Sequence, residues 1–279
     1  MTLSRRDVAG LLERHGLRPS AALGQHFVVD PNTVRRIARV AGVGRGDRVV
    51  EIGAGLGSLT LALAETGAEV VAVELDRHLV PVLRSVVEPV GVRVVQGDAR
   101  TLAWDEVLGP DDGWALVANL PYNAATPLIL DLLEGVPAIG RMLVMVQREV
   151  GERLAAGAGD EAYGAVSVKL AYRATASVVG RVPPTVFLPR PNVESVLVAV
   201  VRRAAPAVAG DPRQLFALVQ AGFAHRRKML RRSLAGLVTE EAFAAAGVRP
   251  EARAEELDIE TWGRLAGCAS DHANGLRPS

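Results

Sequence analysis

Three acidic side chains and three glycines stand where a chain could hold a small charged ligand. Glu51 directly precedes a glycine loop, Glu51-Ile-Gly53-Ala-Gly55-Leu-Gly57, which closes an apolar run beginning at Arg48. Glu74 and Asp98 close the next two runs. A strand that ends in glycines and enters a helix turns backbone N–H groups and a helix N-terminus toward whatever binds there. Glycine is required where a Cβ would keep the ligand off the backbone. The dinucleotide fingerprint does not fit, because its third glycine would fall at Ser58. A pyrophosphate is also a poor match for a carboxylate beside the loop.

An amino-acid-like ligand with an ammonium and a sulfonium group accepts that charge. Glu74, 21 residues after Gly53, can take both hydroxyls of a ribose, and Asp98 can accept from an adenine amine. An acid at a strand end is often only the N-cap of the next helix. Three on consecutive strand ends, one attached to the glycine loop, point instead to S-adenosylmethionine, with Gly53, Gly55, Glu74 and Asp98 as contacts.

A fourth run ends in Asn119-Leu120-Pro121-Tyr122. An exocyclic adenine amine is a poor nucleophile, because its lone pair is delocalised into the ring. The Asn119 side-chain oxygen and the Leu120 carbonyl can accept its two N–H bonds and favour a pyramidal nitrogen. Pro121 fixes the turn and donates no competing hydrogen bond. Tyr122 offers a face on which a flipped base can stack. A sulfonium is electrophilic enough to need no strong general base, so positioning is the main catalytic device. The same four residues could form a plain turn. Their place at a strand end opposite the glycine loop favours the catalytic reading.

These residues need a scaffold that brings strand ends together. Strands are expected at about 48–53, 69–74, 93–96, 115–119 and 142–147, with near-continuous Val, Ile, Leu and Ala content that suits a parallel sheet covered on both faces. Helical stretches at 58–65, 78–87 and 126–133 supply the crossovers, which makes a doubly wound α/β pattern. Runs at 176–182 and 195–201, joined by a Pro-rich connection, should pair as an antiparallel hairpin at the sheet edge. Ahead of the sheet, Val8, Leu11, Leu12 and His15 share one helix face that Gly16 and Pro19 end, and Asp30-Pro31 opens a second helix. Residues 204–212 read as a linker, followed by helices and a polar tail at 270–279 expected to be disordered. The expected division is residues 1–203, with an N-terminal helical cap at 1–47, and a helical domain at 204–279.

At 279 residues, 49% hydrophobic and 23% charged, the chain has the composition of an ordinary globular protein. One cysteine, Cys268, excludes an internal disulfide and a cysteine-built metal site, so no metal is expected. No apolar run approaches the roughly 20 residues that span a bilayer, and the N-terminus lacks a signal-peptide core. A cytoplasmic, membrane-free protein is the expectation. The net charge of +1 conceals a basic block: Arg202, Arg203, Arg213, Arg226, Arg227, Lys228, Arg231 and Arg232 stand against the single acid Asp211. Arg226, Arg227, Lys228, Arg231 and Arg232 read as one helix with Phe223, Leu230 and Leu234 packed inward, several of its cations set to neutralise RNA phosphates. A solvated helix face is the alternative.

The order and spacing of these motifs resembles the ribosomal RNA adenine dimethyltransferases over nearly the whole chain. The resemblance runs through Gly24-Gln25-His26-Phe27, Glu51–Gly57, Glu74-Leu75-Asp76, Gly97-Asp98-Ala99, Asn119–Tyr122, Val146–Val150, Tyr163-Gly164, Phe187–Ser195 and Phe223–Lys228. It implies a Rossmann-like class I methyltransferase sheet, mostly parallel with an antiparallel edge hairpin, plus a small all-helical C-terminal domain. It also implies dimethylation at N6 of two adjacent adenines near the 3′ end of 16S rRNA within an immature small subunit. The enzyme would act as a monomer and release S-adenosylhomocysteine. His26 and the backbone of Val28 would close over the cofactor, and Asn119 would contact it as well. Family members usually carry Asn at position 26, and imidazole keeps a hydrogen-bonding nitrogen there. Phe187 would be the second aromatic that sandwiches the base, or else a hydrophobic plug. Two other functions compete: an adenine methyltransferase of 23S rRNA that confers macrolide resistance, and a non-catalytic assembly factor.

Overall fold

The computed structural model describes residues 2–20, 22–121, 124–225 and 227–275, with backbone alone for 270–275. The chain divides into two compact units, Met1–Gly151 with Ala176–Arg202, and Glu152–Thr175 with Arg203–Ser279. The second unit thus draws in Glu152–Thr175, a segment that the linear reading leaves with the first.

The strands are β1 Phe27–Val28, β2 Arg48–Ile52, β3 Glu69–Glu74, β4 Arg93–Gln96, β5 Trp114–Asn119, β6 Ile139–Gln147, β7 Ala174–Val182, β8 Phe187–Leu188 and β9 Ser195–Arg202. Seven of them form a sheet in the order β4-β3-β2-β5-β6-β9-β7. Strands β2 to β6 pair in parallel. The central ones are buried almost throughout, as expected of strands covered by helices on both faces. β9 runs antiparallel to β6, from Arg141 opposite Val201 to Gln147 opposite Ser195, and β7 lies beyond it at the edge. The strand order reverses between β2 and β5, and in such sheets ligands bind in the crevice outside the carboxyl ends at that point.

The N-terminal segment covers this crevice. Ser4 caps the helix Arg5–Arg14 in a capping box with Asp7, and Val8, Leu11 and Leu12 are buried while His15 is an exposed cap. Asp30 caps the helix Pro31–Ala41 by accepting from the Thr33 N–H. Between these helices, β1 pairs antiparallel with β8, setting Phe27 opposite Leu188 and Val28 opposite Phe187. Sequence periodicity gives no sign of this two-residue pairing.

The second unit packs around Trp262, Phe243 and Tyr163, which are all buried. A Cβ on Gly222 would lie 2.5 Å from the Trp262 ring, so the helix Pro212–Ala224 can pass only because that residue is glycine. Residues 204–212 are not a free linker. The Ala207 N–H bonds the Tyr172 carbonyl at 2.8 Å, and Val208 packs against Gly263. The helix Ile259–Gly275 also extends into the expected disordered tail.

The expected basic helix is interrupted. Pro212–Ala224 ends at His225, the Lys228 N–H turns back to the His225 carbonyl, and Met229 bridges Arg253 before a short helix begins at Leu230. Leu230 and Leu234 are buried as expected, but Arg227 and Lys228 lie on the exposed connection. Two arginines of the basic block are structural. The Arg202 guanidinium donates to the carbonyls of Leu132, Leu133, Val136 and Ile139, closing the C-terminal end of the helix Ala125–Gly135. Arg203 donates to the Ala171 carbonyl. Among the described residues, no helix is long and apolar enough to cross a membrane.

Candidate active site

A cavity of about 260 Å³ opens at the ends of β2, β3 and β5. Its glycines serve three different purposes. Gly53 has φ +75°, and a Cβ there would meet only the Asn119 carbonyl oxygen, at 3.6 Å, so this glycine leaves open space. Gly55 at φ +59° lies under the Phe27 ring, which a Cβ would approach to 3.0 Å. Gly57 admits the helix Val80–Val87, because a Cβ would sit 2.7 Å from Val87. The first keeps room for a ligand, and the other two let β1 and a helix close on the loop.

Two carboxyls are buried in this corner. Glu74 is 6% exposed and accepts from the Gly55 N–H at 2.7 Å and the Asp76 N–H at 2.8 Å. Burial raises its pKa against those two donors. Glu51 is 2% exposed, and among the described residues its Oε2 has no hydrogen-bond partner. Burial pushes its carboxyl up to about 8; the nearby Thr60 hydroxyl, which is outside strict bonding geometry, opposes the shift and the Glu74 charge adds to it. Asp98 is exposed beyond β4, with Oδ1 accepting from the Arg100 N–H at 2.9 Å.

Asn119 ends β5 and lines the same cavity. Its Nδ2 donates to the His26 carbonyl at 2.9 Å, which fixes the amide and leaves Oδ1 as its acceptor. The Leu120 N–H is used by the Met145 carbonyl, and the Pro121 carbonyl starts the helix Ala125–Gly135 by accepting from Ala124 and Ala125. The His26 ring lies with Nδ1 2.8 Å from the Pro189 carbonyl, so the imidazole clasps a neighbouring loop. Gln25 and Asp76, which sequence reasoning quotes in motifs without assigning a role, are joined by a 2.9 Å bond from Gln25 Nε2 to Asp76 Oδ2.

His26, Val28, Gly53, Gly55, Glu74, Asp98, Asn119, Leu120 and Pro121 all line this one cavity. Phe187 does not join them. It is 1% exposed within the apolar core, its backbone paired with Val28, so the face expected to stack on a base is covered here. Tyr122 and Arg226 lie outside the described residues. Arg227, Lys228 and Arg231 are exposed on the second unit, Arg231 at 3.4 Å from Glu251.

The corner suits S-adenosylmethionine. The unpartnered Glu51 oxygen can receive an ammonium group, and the space over Gly53 admits a ligand to the backbone. Glu74 retains lone pairs for ribose hydroxyls after its two bonds to N–H groups.

Residues 17–270 match the family described as ribosomal RNA adenine dimethylase. The chain is 50% identical to ribosomal RNA small subunit methyltransferase A of Kineococcus radiotolerans, covering 95% of this chain and 90% of that protein. It is 47% identical to the protein of that name from Cutibacterium acnes, covering 96% and 97%. Among solved structures it resembles the 23S rRNA methyltransferase ErmE, at 27% identity and a TM-score of 0.69 over 88% of this chain and 99% of that one. A dimethyladenosine transferase from Plasmodium falciparum, at 22% identity and a TM-score of 0.70 over 85% and 94%, shares the fold.

Proposed function

The chain belongs to the ribosomal RNA adenine dimethylase family, and we propose that its target is a pair of adjacent adenines near the 3′ end of 16S rRNA. It is an S-adenosylmethionine-dependent rRNA adenine dimethyltransferase. The observation that carries the target is a difference of identity. The chain is 50% identical to a small-subunit methyltransferase over 95% of its length, against 27% to the 23S enzyme.

Bound cofactor supplies an electrophilic methyl group on a sulfonium sulfur. The chain's own residues hold and orient. Glu74 takes the ribose hydroxyls, Asp98 the adenine amine, Glu51 the ammonium group, and Gly53 and Gly55 let the backbone approach. Asn119 Oδ1 and the Leu120 carbonyl accept the two N–H bonds of the target amine and hold its lone pair toward the methyl group. The proton lost after transfer passes to solvent, so no buried base is needed. A monomethylated amine keeps one N–H, and the same acceptors serve the second transfer. Phe187 is buried in the apolar core, so Tyr122 is the first choice for stacking on the base. Residues Arg226, Arg227, Lys228 and Arg231 grip phosphates. The substrate is a partly assembled small subunit, met in the cytoplasm by a monomer.

The test supplies labelled S-adenosylmethionine with unmethylated small subunits, large subunits or naked rRNA and maps the modified base. Label is expected at two adjacent adenines of the small subunit. Label confined to large subunits would overturn the target, and tight binding without transfer would favour the assembly factor.

A further inference from the structure

The side chain of Gln25, which lines the cavity, joins two distant segments of the chain. Its Oε1 accepts from the Ser20 N–H at 2.7 Å, while its own N–H returns to the Ser20 carbonyl at 3.1 Å. Its Nε2 donates to Asp76 Oδ2, and Asp76 Oδ1 accepts from the His78 N–H at 2.9 Å. The Asp76 N–H in turn holds Glu74 Oε1. Both polar heavy atoms of the Gln25 side chain are therefore committed, Oε1 to Ser20 and Nε2 to the turn that follows β3.

The next residue supplies the contact that matters for chemistry. The His26 carbonyl accepts from Asn119 Nδ2 and, among the described residues, is the one partner of that amide. An amide released from this carbonyl can turn over about its terminal torsion, which is broad and roughly two-fold. The turned amide would present N–H to the N–H of an adenine amine, donor against donor, with both left unsatisfied.

The geometry points to Gln25 as a positioning residue for methyl transfer: by tying the segment to Asp76 it seats the His26 carbonyl, which sets Asn119 with its oxygen as the free acceptor. The inference rests on the methyltransferase reading of Asn119. It gives the strictly polar Gln25–Asp76 pair a role in the rate step and not in cofactor affinity.

An exchange of donor and acceptor tests it. Gln25→Glu sets two carboxylates against each other, and Asp76→Asn sets two donors against each other unless a neighbouring bond is given up. The double variant restores one donor facing one acceptor at unchanged net charge. The Ser20 and His78 N–H groups still find oxygens. Each single variant should lose about 10- to 100-fold in kcat for methyl transfer, with KM for S-adenosylmethionine changed by less than about threefold, and the double should recover most of that loss. In the cofactor-free full chain, hydrogen exchange at the Gln25 and Val29 amides should accelerate in the singles and slow again in the double. Exchange that accelerates while kcat holds, a double no better than the singles, or a loss confined to cofactor KM would each overturn the positioning role. The exchange measurement needs no RNA, and the kinetics use whichever rRNA the unmodified chain methylates. A wrong target would therefore show in the unmodified chain and leave the latch test standing.

Discussion

In the first unit the reactive groups sit inside. Glu51 and Glu74 are buried at adjacent strand ends, Asn119 is half-buried, and backbone N–H groups have turned inward to meet them. In the second unit the inside is structural. The Tyr163 hydroxyl donates to the Leu257 carbonyl, and Phe223 packs edge-on against that ring, while Arg227, Lys228 and Arg232 stand in solvent. The difference fits the job proposed for each. Orienting an amine needs acceptors that are fixed and partly dry, where a hydrogen bond is worth more than in water. Gripping a phosphate backbone gains from charge that stays hydrated and adaptable.

The sharpest way to break this contrast is Asn119→Ala. It should cut methyl transfer on the order of 10²–10³-fold, with small-subunit binding unchanged within about threefold. Single-turnover rates beside a filter-binding titration would separate the two. Near-normal turnover would remove Asn119 from the chemistry and leave the inner site with the Leu120 carbonyl as its one assigned acceptor.

A smaller effect sharpens the contrast within the first unit, between a satisfied carboxyl and an unsatisfied one. Glu51, with its pKa raised to about 8, keeps its proton in the folded chain while the unfolded chain loses it near the ordinary carboxyl value of 4.5. The folded state thus binds more protons across that window, and its stability falls as pH rises from about 4.5 to about 8. Glu51→Gln removes this slope, so the variant should gain in Tm relative to the unmodified chain between those limits. Its cofactor affinity should move the other way. Above pH 8 the lost charge should weaken binding by about tenfold, and near pH 6 by less, because the unmodified chain must there release a proton to bind. Thermal melts and calorimetric titrations across the range check both, and parallel melting curves would show that the carboxyl is not held neutral.

How much of this was legible in the sequence divides along the same line. Glycine loops and strand-end acids are backbone devices, and their spacing carries their geometry. Glu51, Glu74, Asp98 and Asn119 therefore line one cavity, and the N-cap at Asp30 leaves a short local signature. Contacts between distant segments left no such trace. The β1–β8 pair is two residues long, too short for periodicity to register, and it buries Phe187, the residue expected at the base. The Gln25–Asp76 bond joins residues 51 positions apart. Charge counting failed most plainly. Arg202 and Arg203 counted toward the basic block, yet their guanidinium groups serve carbonyls of their own chain. A run of cations says nothing about which of them the fold has already used.

The smallest expected effect decides whether the outer region grips at all. Arg227 and Lys228 are exposed on the connection between two helices, whereas Arg231 faces Glu251 at 3.4 Å with about half of each side chain in water. An exposed pair of that kind contributes little to stability, but Glu251 also offsets the charge that Arg231 could present to a phosphate. The double change Arg227→Ala with Lys228→Ala should weaken small-subunit binding severalfold near physiological salt. It should also lower the slope of log K against log salt by about 1 to 2, the count of phosphates released. Arg231→Ala alone should do less, because its charge is already partly spent, and Glu251→Gln should strengthen binding slightly by freeing it. Titrations at three salt concentrations would read all four proteins. An unchanged slope in the double variant would make this segment a merely solvated surface, and the task of holding RNA would then fall to residues elsewhere in the chain.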